Sequence, residues 1–403
     1  MLLPTSIVSA TSSPASTSAI TPSRRRDKRA SIPNPIAITG DTSGVHDPSL
    51  VKTATGTYIL YGSGGWPDIN GRQVGAGIPT WTSVDRLVWK YEGVAFSTIP
   101  KDAVAFTGSA TASLWAPDVT FVGGAFVMYY SASQSGSQNS GIFVATSPTG
   151  LPGSWVDKGL VVRSSEGDDW NAIDPHLNVA GANGDIWTLT AGSFWSGIQW
   201  MPLNSSNGLL ESDLVVPLAD RNDPTNGVNA AEEGSATYFV EPYFYLFTSW
   251  DNIRVARSTK VAGPYVDESG TRALEGGGTE ILGTHGGTIA PGGQMIITDT
   301  DGPLLVYHYI SPTTSAPLLG MNLLDFSSGW PVVFIPAPKV IPPTTIETPA
   351  PIAGPTVVTS TSASVGVTTA QATWFTEGLG PHGAGNATGE HLIPLSLATK
   401  GVF

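Results

Sequence analysis

Along the middle of the chain a short run of aromatic and β-branched residues, closing on small or polar ones, returns five times. The runs are Thr57–Ser63, Ala125–Ser131, Asp185–Ala191, Tyr243–Ser249 and Leu304–Ile310, and their starts lie 68, 60, 58 and 61 residues apart. Runs of this length and type suit strands rather than helices. A second phrase follows three of them: Ile78–Ser83 leading to Trp89, Ile142–Ser147 leading to Trp155, and Ile253–Ser258 leading to Tyr265. Each unit therefore predicts an inner strand, a turn, and another strand with an aromatic near its end. A period near 60 residues, several strands per period and no helical stretch describe the blades of a propeller. The expected fold is an all-β, five-bladed β-propeller over residues 36–340. A pair of β-sandwiches gives no reason for five evenly spaced copies.

Composition supports many short strands and turns: the chain has 47 Gly, 32 Pro, 12 Trp and 11 Tyr among 403 residues. Outside the repeats the pattern fades. Residues 1–35 read as a leader or disordered segment, and residues 341–403 as a Ser/Thr/Pro-rich linker and a tail of unassigned fold. The net charge of -13 excludes a nucleic-acid partner, which needs clustered Lys and Arg, and favours a neutral ligand. The absence of cysteine removes disulfides, thiolate metal sites and cysteine nucleophiles. No apolar run approaches the roughly 20 residues of a membrane helix, and a monomer is expected. At the amino terminus Pro4, Pro14 and repeated hydroxyls interrupt the apolar residues, so a secretory leader is weakly written. The basic run Arg24–Arg29 and the sequons at Asn204 and Asn386 nevertheless incline the reading towards secretion.

Three acidic residues share a phase. Asp47 and Glu233 each precede their repeat by 10 residues and Asp174 by 11. Equal offsets in a repeat protein put side chains at equivalent radial positions, here facing one mouth of the channel. Grouped carboxylates repel, which raises at least one pKa. Glycoside hydrolysis needs that division, a protonated acid for the leaving oxygen and an ionised base for water. Taken singly, an Asp-Pro pair is equally well a turn starter. Asp118, seven residues ahead of its repeat, is out of phase and either structural or part of the binding cleft.

The His46-Asp47-Pro48, Trp115-Ala116-Pro117-Asp118 and Asn171-Ala172-Ile173-Asp174-Pro175 elements, in that order, resemble glycoside hydrolase family 43. Within it, Gly136–Ser140, Gly192–Trp195, Pro291–Gln294, Tyr307–Tyr309 and Asp325–Pro331 resemble the fungal endo-1,5-α-L-arabinanases. The resemblance covers residues 41–335. It implies a five-bladed propeller that hydrolyses arabinan with inversion, with Asp47 as general base, Asp174 as pKa modulator and Glu233 as general acid. Glu232 is the rival acid. Alternatives of the same family are a β-xylosidase or an arabinofuranosidase, and outside catalysis a sugar-binding propeller. Trp115, Phe194 and Trp195 are candidate sugar contacts, since apolar sugar faces pack on aromatic rings; Asp118, Asn139 and Ser193 join them as candidate substrate contacts.

The chain departs from that pattern twice. Between Ser249 and Ile253 it runs straight on, about ten residues shorter than the family's usual connection. Gly293 stands where many relatives place a metal-associated His. A calcium ion at the propeller centre is therefore expected only through other residues, of which His308 and His285 are the nearest candidates; no organic cofactor is expected.

Overall fold

The computed structural model describes residues 32–181, 183–221 and 232–336. Their strands form five sheets. The first holds β1 (Thr39–Gly40), β2 (Ser49–Lys52), β3 (Tyr58–Tyr61), β4 (Pro79–Ser83) and β5 (Val88–Val94), in the order β1-β5-β4-β3-β2. A short helix, α1 (Lys101–Thr107), leads to β6 (Leu114–Val122), β7 (Ala125–Ala132), β8 (Ser140–Ser147) and β9 (Val156–Ser164). The third sheet is β10 (His176–Ala180), β11 (Ile186–Ala191), β12 (Ile198–Leu203) and β13 (Val216–Ala219). The fourth is β14 (Glu233–Val240), β15 (Tyr243–Ser249), β16 (Ile253–Ser258) and β17 (Thr279–Leu282). The fifth is β18 (Ile289–Asp299), β19 (Gly302–Ile310), β20 (Pro317–Asp325) and β21 (Val332–Phe334). Each of the last four is an antiparallel meander in chain order.

The first strands of the sheets, β2, β6, β10, β14 and β18, meet in a closed ring, β18 returning to β2. The sheets are thus blades of a five-bladed propeller around an axial channel. Five apolar clusters fill the five seams between neighbouring blades. Ring closure is local. The stretch before β2 bonds to β20, Ile36 N–H to Met321 O at 2.8 Å and Gly44 N–H to Pro317 O at 2.8 Å. Asp299, at the β18–β19 turn, takes Lys52 at 2.7 Å, the Tyr58 hydroxyl and the Arg86 guanidinium, all from the first blade.

The repeated apolar phrase does not mark the innermost strand. Its five copies fall on the second strands, β3, β7, β11, β15 and β19, and the second phrase on the third strands β4, β8 and β16. A second strand is covered on both faces by neighbouring blades, so it reads as a continuous apolar run; a strand lining a channel keeps polar positions. Around the shortened connection, Ser249 pairs directly with Ile253 in a tight hairpin. The fourth blade keeps four strands. Residues 32–35, grouped with the leader by composition, lie on the fifth blade, where Asn34 O accepts from Asn322 Nδ2 at 3.1 Å. The tail from 341 onward lies outside the described residues.

Candidate active site

At the head of each innermost strand one residue adopts positive φ: Asp47 (46°), Ala116 (41°), Asp174 (56°), Gly234 (61°) and Gly293 (55°). Left-handed backbone is costly for a residue with a Cβ, least so for Asp, Asn or Gly. The same kink in all five blades is the structural form of the shared offset. In the second, fourth and fifth blades it coincides with a slip in strand register, as a β-bulge does where it re-aims a side chain. Asp47, Asp174 and Glu233 consequently line one open cavity of about 750 Å³. Glu233 also lines an adjoining cavity of about 370 Å³, bounded by Ser193, Phe194 and Trp195.

The three carboxyls sit in different fields. Burial opposes ionisation of Asp47, but His46, bonded to Oδ2 through Nδ1 at 2.7 Å, and the Ser63 hydroxyl at 2.5 Å outweigh it. Asp47 is held well below the usual carboxylate range. Burial pushes Glu233 up to about 7, with the Asp47 charge adding to it against the Ser193 hydroxyl, 2.7 Å from Oε2. Asp174 is likewise raised, by burial first and then by the charges of Glu233 and Asp47, although the Gly234 N–H donates to its Oδ2 at 3.1 Å. The Glu233 charge is thus one reason that Asp174 holds its proton.

Glu232 points the other way, as alternation along a strand requires. It is 1% exposed, takes the Thr248 hydroxyl on Oε1 at 2.7 Å, and lines neither cavity. Its pKa too is raised to about 7 by burial, so pKa does not separate the two glutamates; direction of the side chain does.

Trp115 lines both cavities, and Ser193, Phe194 and Trp195 the smaller one, the last two at positive φ. Two expected contacts lie elsewhere. Asp118 is 5% exposed and turned down the channel, paired with the His176 ring at 3.1 Å and the Leu177 N–H at 2.9 Å. It sits two residues past the kink of its blade, which explains its odd phase. Asn139 is exposed on a turn, its N–H bonded to Ser137, and lines neither cavity; Gln134 and Ser135 take that wall. Sequence reasoning passed over Ser63, Trp66 and Ile173, which line the larger cavity with His46. Trp66 stacks on His46 at 4.1 Å, and His46 on His308 at 3.8 Å. In the sequence Ser63 closes the first repeat and His46 and Ile173 stand beside Asp47 and Asp174 in their motifs, while nothing marks Trp66.

His308 accepts the Asp47 N–H on Nδ1 at 3.1 Å, and burial drives its pKa down to about 3. A nitrogen that accepts there carries no proton towards Asp47 Oδ1, 3.5 Å away, so that approach is not an ion pair. His285 is remote from the site, its ring nitrogens against the carbonyls of Gly283 and Pro33. Among the described residues His46, Asp47 and His308 bring potential metal-ligand atoms within 4.8 Å of one another. Calcium takes six to eight oxygens; two imidazoles and one carboxylate already bonded twice do not form such a cage. Gly293 could not add a fourth side chain, because a Cβ there would collide with Asp47 and His308.

Comparison with known proteins agrees with this geometry. The sequence profile described as Glycosyl hydrolases family 43 matches residues 32–331. The chain is 37% identical over 330 residues to an arabinan endo-1,5-alpha-L-arabinosidase A of Aspergillus niger, covering 75% of this chain and 96% of that one. A probable enzyme of the same name from Aspergillus flavus is 36% identical over 329 residues, covering 76% and 96%. Among solved structures, a GH43 endo-arabinanase from Bacillus licheniformis superposes with a TM-score of 0.65 at 30% identity, covering 73% of this chain and 99% of that one. Native Bacillus subtilis arabinanase gives 0.63 at 31%, covering 72% and 97%. Profile, relatives and the ring of blades agree over the same residues, and this chain belongs to glycosyl hydrolase family 43.

Proposed function

We propose that the protein hydrolyses internal α-1,5-L-arabinofuranosidic bonds of arabinan with inversion. The observation that carries this reading is the split between two carboxyls in one cleft, Asp47 held ionised and Glu233 held up to about 7. Protonated Glu233 gives its proton to the glycosidic oxygen as the bond to C1 breaks. Ionised Asp47 takes a proton from the water that attacks C1 on the opposite face, so water's oxygen replaces the leaving oxygen with inverted configuration. Ser63 and His46 hold Asp47 in place. Asp174, which accepts the Gly234 N–H on Oδ2, orients the neighbouring acid, and its own pKa is raised by the Glu233 charge. No step passes through a metal ion.

Internal cleavage is supported by the cleft's shape. Space continues on both sides of Glu233, past Trp66 on one and past Phe194 and Trp195 on the other, so a chain can lie through it without ending there. A polymer too large to enter a cell also makes an extracellular site of action part of this proposal. Linear arabinan digested with the purified protein should yield a ladder of oligomers early, with β-configured new reducing ends by NMR. Release of arabinose alone from chain ends, or turnover only of aryl xylosides, would overturn it.

A further inference from the structure

The connection between β15 and β16 consists of Trp250, Asp251 and Asn252, and it reaches the cleft through one ring. Trp250 stands edge-on to Phe194, on the wall of the smaller cavity. Phe194 and Trp195 both hold left-handed backbone, at φ 54° and 45°, which a bulky side chain keeps only where its surroundings impose it. Part of that constraint lies in the backbone. The Phe194 N–H donates to Glu232 O at 3.0 Å, and Phe194 O accepts the Gly197 N–H at 2.7 Å. The ring itself rests on Trp250, so the direction of the wall depends on what holds the hairpin tip.

So short a tip has little support of its own. Within it the Trp250 N–H donates to Asn252 O at 3.2 Å, and Asp251 takes a positive φ of 60°. The rest comes from outside. Arg221, two residues past β13 in the third blade, donates from one guanidinium nitrogen to Trp250 O at 3.2 Å and from another to Asn252 Oδ1 at 3.0 Å. Asn252 Nδ2 in turn donates to Glu280 Oε2 on β17 at 2.6 Å. Arg221 is anchored by its neighbour: the Asp220 N–H donates to Ala273 O and Asp220 O accepts the Gly276 N–H, each at 3.0 Å. Burial and the Arg254 charge oppose the guanidinium, and Glu232, Asp251 and Glu233 partly offset them. A planar fork that reaches two acceptors fixes orientation as well as distance, which a single ammonium does not.

We infer that Arg221 is a positioning residue for the cleft: reaching over from the third blade, it holds the tip of the shortened hairpin where Trp250 fixes the Phe194 wall. Arg221 lines neither cavity, so it acts only through that ring. The consequence for arabinan rests on the proposed activity: Arg221 supports binding of the chain beyond Glu233, not bond cleavage.

Two variants of the full chain separate geometry from charge, since Arg221→Lys keeps the charge and loses the fork while Arg221→Gln loses both. Each should raise KM for linear arabinan by about 2- to 10-fold, no more than Trp250→Ala does, with kcat unchanged. Combined with Trp250→Ala, either change should add nothing, because the ring that transmits it is gone. Hydrogen exchange of the unliganded protein reads the grip without any substrate. In Arg221→Lys, residues 249–253 and 192–197 should exchange about 3- to 10-fold faster, and the other blades as in wild type. A wild-type KM in Arg221→Lys, or an effect that adds in full to that of Trp250→Ala, would overturn the inference. So would unchanged exchange in those two segments, or a rise spread over all five blades. If the wild-type protein leaves linear arabinan intact, the activity reading falls, and exchange alone upholds or overturns the grip.

Discussion

The Ser193 hydroxyl donates to Glu233 Oε2 at 2.7 Å and so favours the ionised form of a carboxyl that burial otherwise keeps protonated. The proposed mechanism uses Glu233 protonated, so kcat/KM should fall as pH rises through about 7. Ser193→Ala removes the bond that holds this pKa down. The basic limb should then move to higher pH, while the acid limb, set by Asp47, stays in place. A limb that moves to lower pH in a pH–rate profile would contradict the assignment.

Glu232 and Glu233 are neighbours with similar pKa values and opposite directions. Glu233→Gln should lower kcat on linear arabinan by about 10²–10⁴-fold, the usual contribution of a general acid. Glu232→Gln keeps a hydrogen-bonding group beside Thr248 and should leave kcat within about threefold of wild type. Steady-state kinetics of the two variants decides between them.

Trp250, at the tip of the shortened hairpin, packs edge-on against Phe194 with ring centroids 4.7 Å apart. Phe194 forms the wall of the smaller cavity, so the hairpin braces one end of the cleft. Trp250→Ala should raise KM for linear arabinan by about 2- to 13-fold, the equivalent of an aromatic pair, with kcat unchanged. A fall in kcat at constant KM would place the effect at the reacting centre instead.

Asp299 ties the last blade to the first, its side chain fully buried against Lys52, Tyr58 and Arg86. Burial opposes its ionisation, yet Lys52, the Thr300 N–H, Tyr58 and Arg86 hold its pKa well below the ordinary carboxylate value. The resulting stability is complete above the unfolded pKa of about 3.9 and is lost as pH falls through the folded value. Asp299→Asn should cost about 1–3 kcal/mol at neutral pH, since it weakens the buried acceptor shared by Lys52, Tyr58 and Arg86. Denaturant melts at pH 7 and pH 3 measure both effects; the difference between variant and wild type should shrink at the lower pH.

Much of this protein was legible in the chain itself. Repetition is a one-dimensional property, so five apolar phrases near a 60-residue spacing were enough for five blades, and a common offset was enough to group Asp47, Asp174 and Glu233. What repetition does not encode is depth. The apolar phrases belong to second strands because burial on both faces, which only the assembled ring supplies, makes a run apolar. Asp118 lies two residues past the kink at Ala116, and those two carry it from the cleft into the channel. Glu232 and Glu233 are equivalent as letters and opposite as side chains, since a strand's pleat sends one to the core and one to the cleft. His46 and His308 are 262 positions apart in the sequence, yet their rings stack beside Asp47 because the ring closes first blade upon last. Repeat spacing is enough to count the blades and group the acids; which side of each strand faces the cleft depends on neighbours distant along the chain and emerges only when the ring closes.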